Sequence, residues 1–165
     1  MSAIHAGRRK GGRKALAGFV FLCLAVGAVA GFATATNVST WYATLNKPSF
    51  NPPNGVFGPV WTLLYVLMAI SAWRVWRSTG PEGPRRAALS AWAAQLALNF
   101  AWSFLFFALH APAAALVEIL VLLVVLAITL VLSWRVDRVA GLLLAPYLAW
   151  VAFATALNLE IWRLN

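Results

Sequence analysis

Residues 41–61 read WYATLNKPSFNPPNGVFGPVW and lie between two long apolar segments of the chain. The stretch holds two Trp, one Tyr, two Phe and four Pro. A loop does not need these aromatic rings for solubility, and prolines restrict the backbone that carries them. The stretch therefore predicts a lid or wall over a flat, apolar ligand.

The composition on either side of this stretch is that of a membrane protein. Hydrophobic residues make up 62% of the 165 residues and charged residues 10%, whereas a soluble domain has about 25% charged residues. Five apolar segments each approach the ~20 residues that a helix needs to cross ~30 Å of hydrocarbon. They are residues 15–36, 57–76, 87–109, 112–134 and 141–161. The chain is predicted to be all-α, with a basic tail (residues 1–14) and a bundle of five transmembrane helices (residues 15–165) that includes an aromatic, Pro-rich lid loop (residues 37–56).

A cleaved signal peptide is the alternative interpretation of the N-terminus. The apolar run continues from Ala15 past Phe32, which is longer than the ~7 to 15 residues of a signal peptide's apolar region, so a retained helix is favoured. The single cysteine, Cys23, builds no disulfide framework, and His5 and His110 are isolated in the sequence, so no metal site is expected.

The net charge of +9 does not require a nucleic-acid partner, because the basic residues alternate between connections. The first loop and the C-terminal end carry only Lys47 and Arg163. The N-terminal tail and the second and fourth connections carry the other eleven basic residues. These eleven are Arg8, Arg9, Lys10, Arg13, Lys14, Arg74, Arg77, Arg85, Arg86, Arg135 and Arg138. The positive-inside rule then predicts a cytoplasmic N-terminus and a lid loop outside, with the basic tail near anionic lipid; it does not say which membrane.

The nine tryptophans divide into two groups by their position along the predicted helices. Trp73, Trp76, Trp134 and Trp162 lie near helix ends, as interfacial anchors do. Trp150 lies near the middle of the last helix, where its indole N–H is expected to need a partner or a cavity.

Polar and aromatic residues also repeat at helical spacing. Three stripes are predicted to face one another: Trp61 with Tyr65; Gln95 with Asn99 and Ser103; and Trp150 with Ala154 and Asn158. Polar side chains in a membrane either bond to neighbouring helices or line a cavity. Both remain open for each amide alone, but the combination with the aromatic rings predicts a pocket beneath the lid loop.

Small residues and one acidic residue leave further alternatives. The small-residue stripes are Gly27, Gly31 and Ala35, and Ala87, Ala91 and Ala94. Each stripe fits either packing within the chain or a homodimer interface. Glu118 lies inside the fourth predicted helix, where a carboxyl group fits either a structural, neutralised role or proton coupling.

Three segments carry a resemblance to a known family. WYATLNKPSFNPPNGVFGPVWTLLY, AAQLALNFAWSFLFF and PYLAWVAFATALNLEIWRLN resemble the translocator protein family, also called tryptophan-rich sensory proteins (TspO/MBR) or peripheral benzodiazepine receptors. The resemblance runs from about Trp41 to the C-terminus and suggests a bacterial-type member.

The resemblance implies a five-helix bundle, usually dimeric, that binds porphyrins and other flat hydrophobic ligands, such as isoquinoline carboxamides, below the first loop. No cofactor is required, and a haem-type tetrapyrrole is expected as ligand. The implied lining is Tyr42, Pro52, Trp61, Tyr65, Asn99, Ser103, Trp150 and Ala154, and the implied lid is Trp41, Phe50 and Phe57. Leu159 stands where sterol-binding animal members carry a Tyr, which argues against a sterol ligand without excluding one.

Three functions fit these observations. The first is a receptor or transporter for porphyrin-like molecules with a sensory or regulatory role in tetrapyrrole metabolism, and the second is an enzyme that degrades porphyrins by photo-oxidation, with Trp150 as the candidate catalytic residue. The third is a regulatory partner protein without transport. No nucleophile, base and orienting residue are arranged for hydrolysis, and no polar stripe runs through both leaflets as in a channel.

Overall fold

The structure, a computed structural model, describes residues 12–165, and within them it contains six α-helices and one π-helical turn. The helices are α1 (Gly12–Val38), α2 (Trp41–Thr44), α3 (Asn54–Arg77), α4 (Glu82–Ser103), α5 (Pro112–Val136) and α6 (Arg138–Leu164), and the π turn (Phe104–Ala108) continues α4. Five helices, all but α2, are long and apolar enough to cross a membrane. The predicted all-α membrane bundle is confirmed.

The helices extend beyond the apolar segments that predicted them. The third spanning segment begins at Glu82 and ends in the π turn at Ala108, whereas the apolar run suggested residues 87–109. Arg and Glu are good helix formers, so a helix continues past the hydrocarbon boundary that hydropathy detects. The predicted basic tail lies mostly outside the described residues; Arg13 and Lys14 belong to the first turn of α1.

The helices pack unequally around the core. α5 packs against both α4 and α6, and α3 packs against α1 and α6. The core between them is built from large side chains that are fully buried, including Met68, Leu122 and Tyr147. Helix α1 buries only Cys23 and Ala30. It therefore lies at the edge of the bundle.

One end of the bundle, called here the basic end, contains the start of α1 and the α3–α4 and α5–α6 connections. Arg74 donates to both carboxylate oxygens of Asp137, at 3.1 and 2.9 Å. Asp137 also caps α6 by accepting from the amide of Ala140 at 2.9 Å. Burial opposes ionisation of this carboxyl group, but the hydrogen bonds from Arg74 and Ala140 outweigh burial and lower the pKa of Asp137.

The opposite end, called here the lid end, is covered by the lid loop. The Tyr42 hydroxyl donates to Asn51 Oδ1 at 2.7 Å, and the Lys47 ammonium lies 4.9 Å from the centre of the Tyr42 ring. The backbone N–H of Asn46 donates to Asn165 Oδ1 at 2.9 Å. These bonds tie the loop to itself and to the end of α6.

Candidate ligand-binding cavity

A cavity of about 630 Å³ occupies the half of the bundle beneath the lid loop. It lies between α1, the first half of α3, the end of α4 with its π turn, and the second half of α6. Ligand sites in proteins typically measure about 300–1,000 Å³. The volume is therefore that of a small-molecule site.

One wall of the cavity is formed by small residues of α1. They include Gly27, Ala28, Gly31 and Ala35. A Cβ atom on Gly27 would lie 2.5 Å from Cε2 of Tyr65, whereas a Cβ on Gly31 would meet nothing within 4 Å. The stripe that was compatible with either a dimer or packing within the chain thus packs within the chain at Gly27 and faces the cavity.

The opposite wall is aromatic. The rings of Trp61 and Tyr65 have centroids 5.8 Å apart, and Trp61 meets Trp150 edge to face at 6.4 Å. The ring centroids of Phe57 and Trp150 are 6.0 Å apart. Aromatic rings offer large rigid apolar surfaces with defined stacking geometry. The cavity is therefore lined by small residues of α1 and by aromatic rings.

Hydrogen bonds hold this aromatic wall from behind. The Tyr65 hydroxyl donates to Asn99 Oδ1 at 2.6 Å, and both residues are buried. Nearby, Trp102 Nε1 donates to Asn158 Oδ1 at 3.1 Å, and Asn158 Nδ2 donates to the carbonyl of Pro112 at 2.8 Å. Asn99 is thus a positioning residue for Tyr65, and both polar ends of Asn158 are occupied.

Two polar groups of the lining differ from these amides. The indole Nε1 of Trp150 is buried and has no hydrogen-bond partner among residues 12–165. Ser103 also lines the cavity. The wall of the cavity therefore contains a buried indole N–H and the Ser103 hydroxyl group.

The structure brings most of the predicted site residues together. Those that line the cavity are Tyr42, Phe57, Trp61, Tyr65, Ser103, Trp150 and Ala154. Asn99, Pro52, Trp41 and Phe50 do not belong to the lining. Trp41 stacks on His110 with ring centroids 4.3 Å apart, and Phe50 meets Phe153 at 6.2 Å. These two lid rings pack against protein rings at the lid end and do not face the cavity.

Sequence reasoning missed several rings of the lining. Trp102, Phe106 and Phe107 all line the cavity. Trp102 and Phe106 are four residues apart and stack with centroids 5.2 Å apart, a spacing that was visible in the sequence. The π turn places Phe107 beside them, and neither hydropathy nor periodicity signals a π turn.

A few buried polar groups behind the cavity have no partner in the described part of the chain. Both carboxylate oxygens of Glu118, both polar ends of Gln95 and the hydroxyl of Tyr147 make no hydrogen bond of standard geometry there. Tyr147 has Tyr65, Asn99 and Glu118 as polar neighbours.

The fold and the cavity together define a class: a multi-pass integral membrane protein with a cavity lined by aromatic residues between its helices. The chain belongs to the TspO/MBR family, whose model matches residues 19–163. It is 44% identical over 146 residues to the tryptophan-rich protein TspO of Archaeoglobus fulgidus, covering 88% of this chain and 94% of that protein.

Two further relatives extend the similarity across kingdoms. The tryptophan-rich sensory protein of Cereibacter sphaeroides is 40% identical over 147 residues, covering 89% of this chain and 90% of that protein. The human translocator protein is 43% identical over 126 residues, covering 76% of this chain and 75% of that protein. These similarities support a membrane receptor or sensory role.

Proposed function

We propose that this protein binds porphyrins and other planar hydrophobic molecules in the cavity beneath the lid loop and acts as a receptor or transporter for them, with a sensory or regulatory role in tetrapyrrole metabolism. The observation that carries the proposal is the cavity lining, which combines small α1 residues such as Gly31 with the rings of Trp61 and Trp150. A flat ring system would bury its apolar faces in such a cavity, and the open space at Gly31 leaves room for its thickness. Isoquinoline carboxamide-type ligands fit the same description, and sterols, which are not planar, fit it less well.

Polar groups of the cavity would orient such a ligand. The Ser103 hydroxyl would donate a hydrogen bond to a carboxylate or carbonyl oxygen of an occupant. The buried Trp150 indole N–H would do so once its ring turns toward the cavity. Near the lid, burial raises the pKa of Tyr42, and its hydroxyl donates a hydrogen bond to Asn51. The names of the relatives, which describe sensory and translocator proteins, agree with a ligand-responsive membrane protein.

The proposal is tested by titrating the purified protein with protoporphyrin in the dark and following quenching of Trp fluorescence. Trp61→Ala removes a ring of the cavity wall and is expected to weaken binding about tenfold, since it removes both stacking and buried area. Trp134→Ala is the matched control, because Trp134 is 42% exposed near the basic end. Equal affinities of the two variants would contradict the assignment of the site.

A second function, light-dependent porphyrin degradation, is favoured by the position of Trp150. Its indole lies in the cavity wall with a free N–H, where a photoexcited porphyrin would be within contact. In this reaction the porphyrin is oxidised, dioxygen is the oxidant, and Trp150 is the candidate residue that passes an electron between them. Loss of porphyrin absorbance under illumination, in protein and in protein-free solution, separates this function from binding alone.

We also propose a membrane orientation, with the basic end in the cytoplasm and the lid loop outside. Eleven of the 13 basic residues support it by their sequence positions. In a background without Cys23, an impermeant thiol reagent applied from outside is expected to label a cysteine at Asn54 and not one at Gly83. The reverse labelling would place the cavity's lid in the cytoplasm.

A homodimer is proposed through α4. Ala87 and Ala94 are exposed on the surface of the bundle and Ala91 is partly exposed, so this small-residue stripe is available to a second copy, whereas the α1 stripe faces the cavity. Ala91→Leu is expected to shift the protein toward the monomer in detergent. A cross-linking pattern unchanged by this substitution would exclude this face.

A further inference from the structure

The side chain of Arg77 has a fixed position at the basic end. Its guanidinium lies 4.6 Å from the centre of the Trp73 ring, one turn earlier on α3. Trp73 Nε1 in turn donates to the carbonyl of Gly12 at 2.6 Å, and a Cβ on Gly12 would lie 3.6 Å from the guanidinium. Arg77 is therefore held in the corner between α3 and the start of α1, by a cation–π contact and a neighbouring hydrogen bond.

Arg77 is held but not neutralised. It forms no ion pair and donates no hydrogen bond to another residue in 12–165. A guanidinium carries five N–H donors in a planar fork that matches two oxygens of a phosphate. The corner therefore presents a pre-oriented phosphate-binding group whose donors have no partner in the described part of the chain.

Other cations surround this corner. Arg13 and Lys14 are exposed in the first turn of α1, and Arg86 is exposed on α4. Arg85, also on α4, reaches across to donate to the carbonyl of Ser78 at 3.0 Å, directly after the end of α3. With Arg77, these are five cations at the ends of three helices that pack against one another, called here the basic cluster.

The chain does not supply enough negative charge to balance the basic cluster. It has four acidic residues in all. Asp137 is paired with Arg74, and Glu160 is paired with Arg163 near the other end. Glu118 lies within α5, which leaves Glu82 as the one carboxylate near five cations. The cluster therefore attracts an anion from outside the chain.

The surroundings of the cluster indicate which anion. It lies where three membrane-spanning helices end, beside an indole ring of the kind found at the level of lipid headgroups. The residues of α1 that follow Lys14 are apolar, and Phe21, seven residues or about 10 Å farther along the helix, is 76% exposed. A ligand with a phosphate at one end and apolar chains at the other satisfies both parts.

We propose that the basic cluster, centred on Arg77, is a binding site for the headgroup of an anionic phospholipid. The phosphate accepts from the Arg77 guanidinium, Arg13 and Arg85 add attraction, and an acyl chain lies along α1. The site is separate from the cavity, which occupies the other half of the bundle. It is independent of the function proposed for that cavity.

Native mass spectrometry of the full chain, released from detergent with added lipid, tests the site by counting bound lipids. Phosphatidylglycerol is expected to bind more tightly than phosphatidylcholine, and Arg77→Gln is expected to weaken phosphatidylglycerol binding about fivefold, the effect of one basic residue near an anionic surface. Arg77→Lys keeps the charge but loses the fork, so its effect is expected to be smaller. Inorganic phosphate at equal concentration is expected not to displace the lipid.

Two variants distinguish a site from general surface charge. Arg135→Gln removes the same charge from the end of α5, where Arg135 is exposed, and is expected to leave phosphatidylglycerol binding nearly unchanged. Trp73→Leu removes the ring that holds Arg77 without changing any charge, and is expected to weaken binding about twofold or more. Equal losses in Arg77→Gln and Arg135→Gln would overturn the proposal, as would competition by free phosphate or equal binding of the two lipids.

Discussion

Substitution of Gly27 by alanine tests the cavity's geometry directly. The added Cβ would lie 2.5 Å from Cε2 and 2.6 Å from Cδ2 of Tyr65, well inside van der Waals contact. Tyr65 cannot turn away freely, because it is buried and its hydroxyl donates to Asn99 at 2.6 Å. Either the ring breaks that hydrogen bond or α1 moves outward.

The expected cost follows from comparing Gly27→Ala with Gly31→Ala. Both residues lie on α1 and line the cavity, and a Cβ on Gly31 meets nothing within 4 Å. The gain in helix propensity, up to about 1 kcal/mol, is common to both variants and cancels in the comparison. The remaining difference is the overpacking cost, about 1–3 kcal/mol.

The assay is thermal unfolding in detergent, followed by porphyrin titration of the folded variants. A difference of 1–3 kcal/mol corresponds to a midpoint lower by about 2–12 °C for Gly27→Ala than for Gly31→Ala, on the scale of a chain of this length. Porphyrin binding should also fall in Gly27→Ala, because Tyr65 is displaced from the wall. Tyr65→Leu combined with Gly27→Ala should recover part of the lost stability, since the two changes share one contact. Equal midpoints and equal affinities for the two glycine variants would refute the close approach of α1 and Tyr65.

Three further expectations concern single side chains. Trp150→Phe should retain most porphyrin binding and lose most light-dependent degradation, and degradation at the wild-type rate would exclude this residue from the chemistry. Glu118→Gln should unfold at an unchanged or higher temperature, since the carboxyl group has no partner within the described chain; a fall of several degrees would favour the structural interpretation of this group. Asp137→Asn should be less stable than wild type at pH 7, because the lowered pKa of Asp137 stabilises the folded state above about pH 4 and this stabilisation is lost as the pH falls through the folded pKa. A difference between wild type and Asp137→Asn that is the same at pH 7 and pH 3 would contradict the contribution of its pair with Arg74.

The sequence predicts the bundle well because each helix is indicated by a contiguous run of apolar residues, and the free energy of such a run in a bilayer favours one structure. Runs of about 20 apolar residues have one low-energy state in a bilayer, the helix, so five runs give five helices. The ring stripe of Trp61, Tyr65 and Trp150 was also predictable from helical spacing, since the cavity lies on one face of each helix. The π turn was not, because it depends on how residues 104–108 pack against α1 and α5.

The role of Asn99 shows a second limit of sequence reasoning. Its stripe placed it correctly among the aromatic rings, but spacing alone does not tell whether an amide points into a cavity or toward another helix. In the structure it accepts from Tyr65 behind the wall. The same ambiguity applied to Gly27 and Gly31, whose stripe fits a dimer interface equally well until Tyr65 is placed opposite.

The two walls of the cavity are held in different ways, and this difference separates stability from ligand selection. The aromatic wall is braced by buried hydrogen bonds, such as Tyr65 to Asn99 and Trp102 to Asn158, and it belongs to the well-packed core. Helix α1 buries little of its own surface. Its small residues form the cavity mainly by leaving space that larger side chains would fill. Substitutions behind the aromatic wall should therefore lower the stability of the protein more than its affinity for a ligand. Enlarging Gly31 should instead reduce the space for a ligand with little loss of stability. A ligand-size series measured on Gly31→Ala and Gly31→Val would show this as a loss of the thicker ligands before the thinner ones.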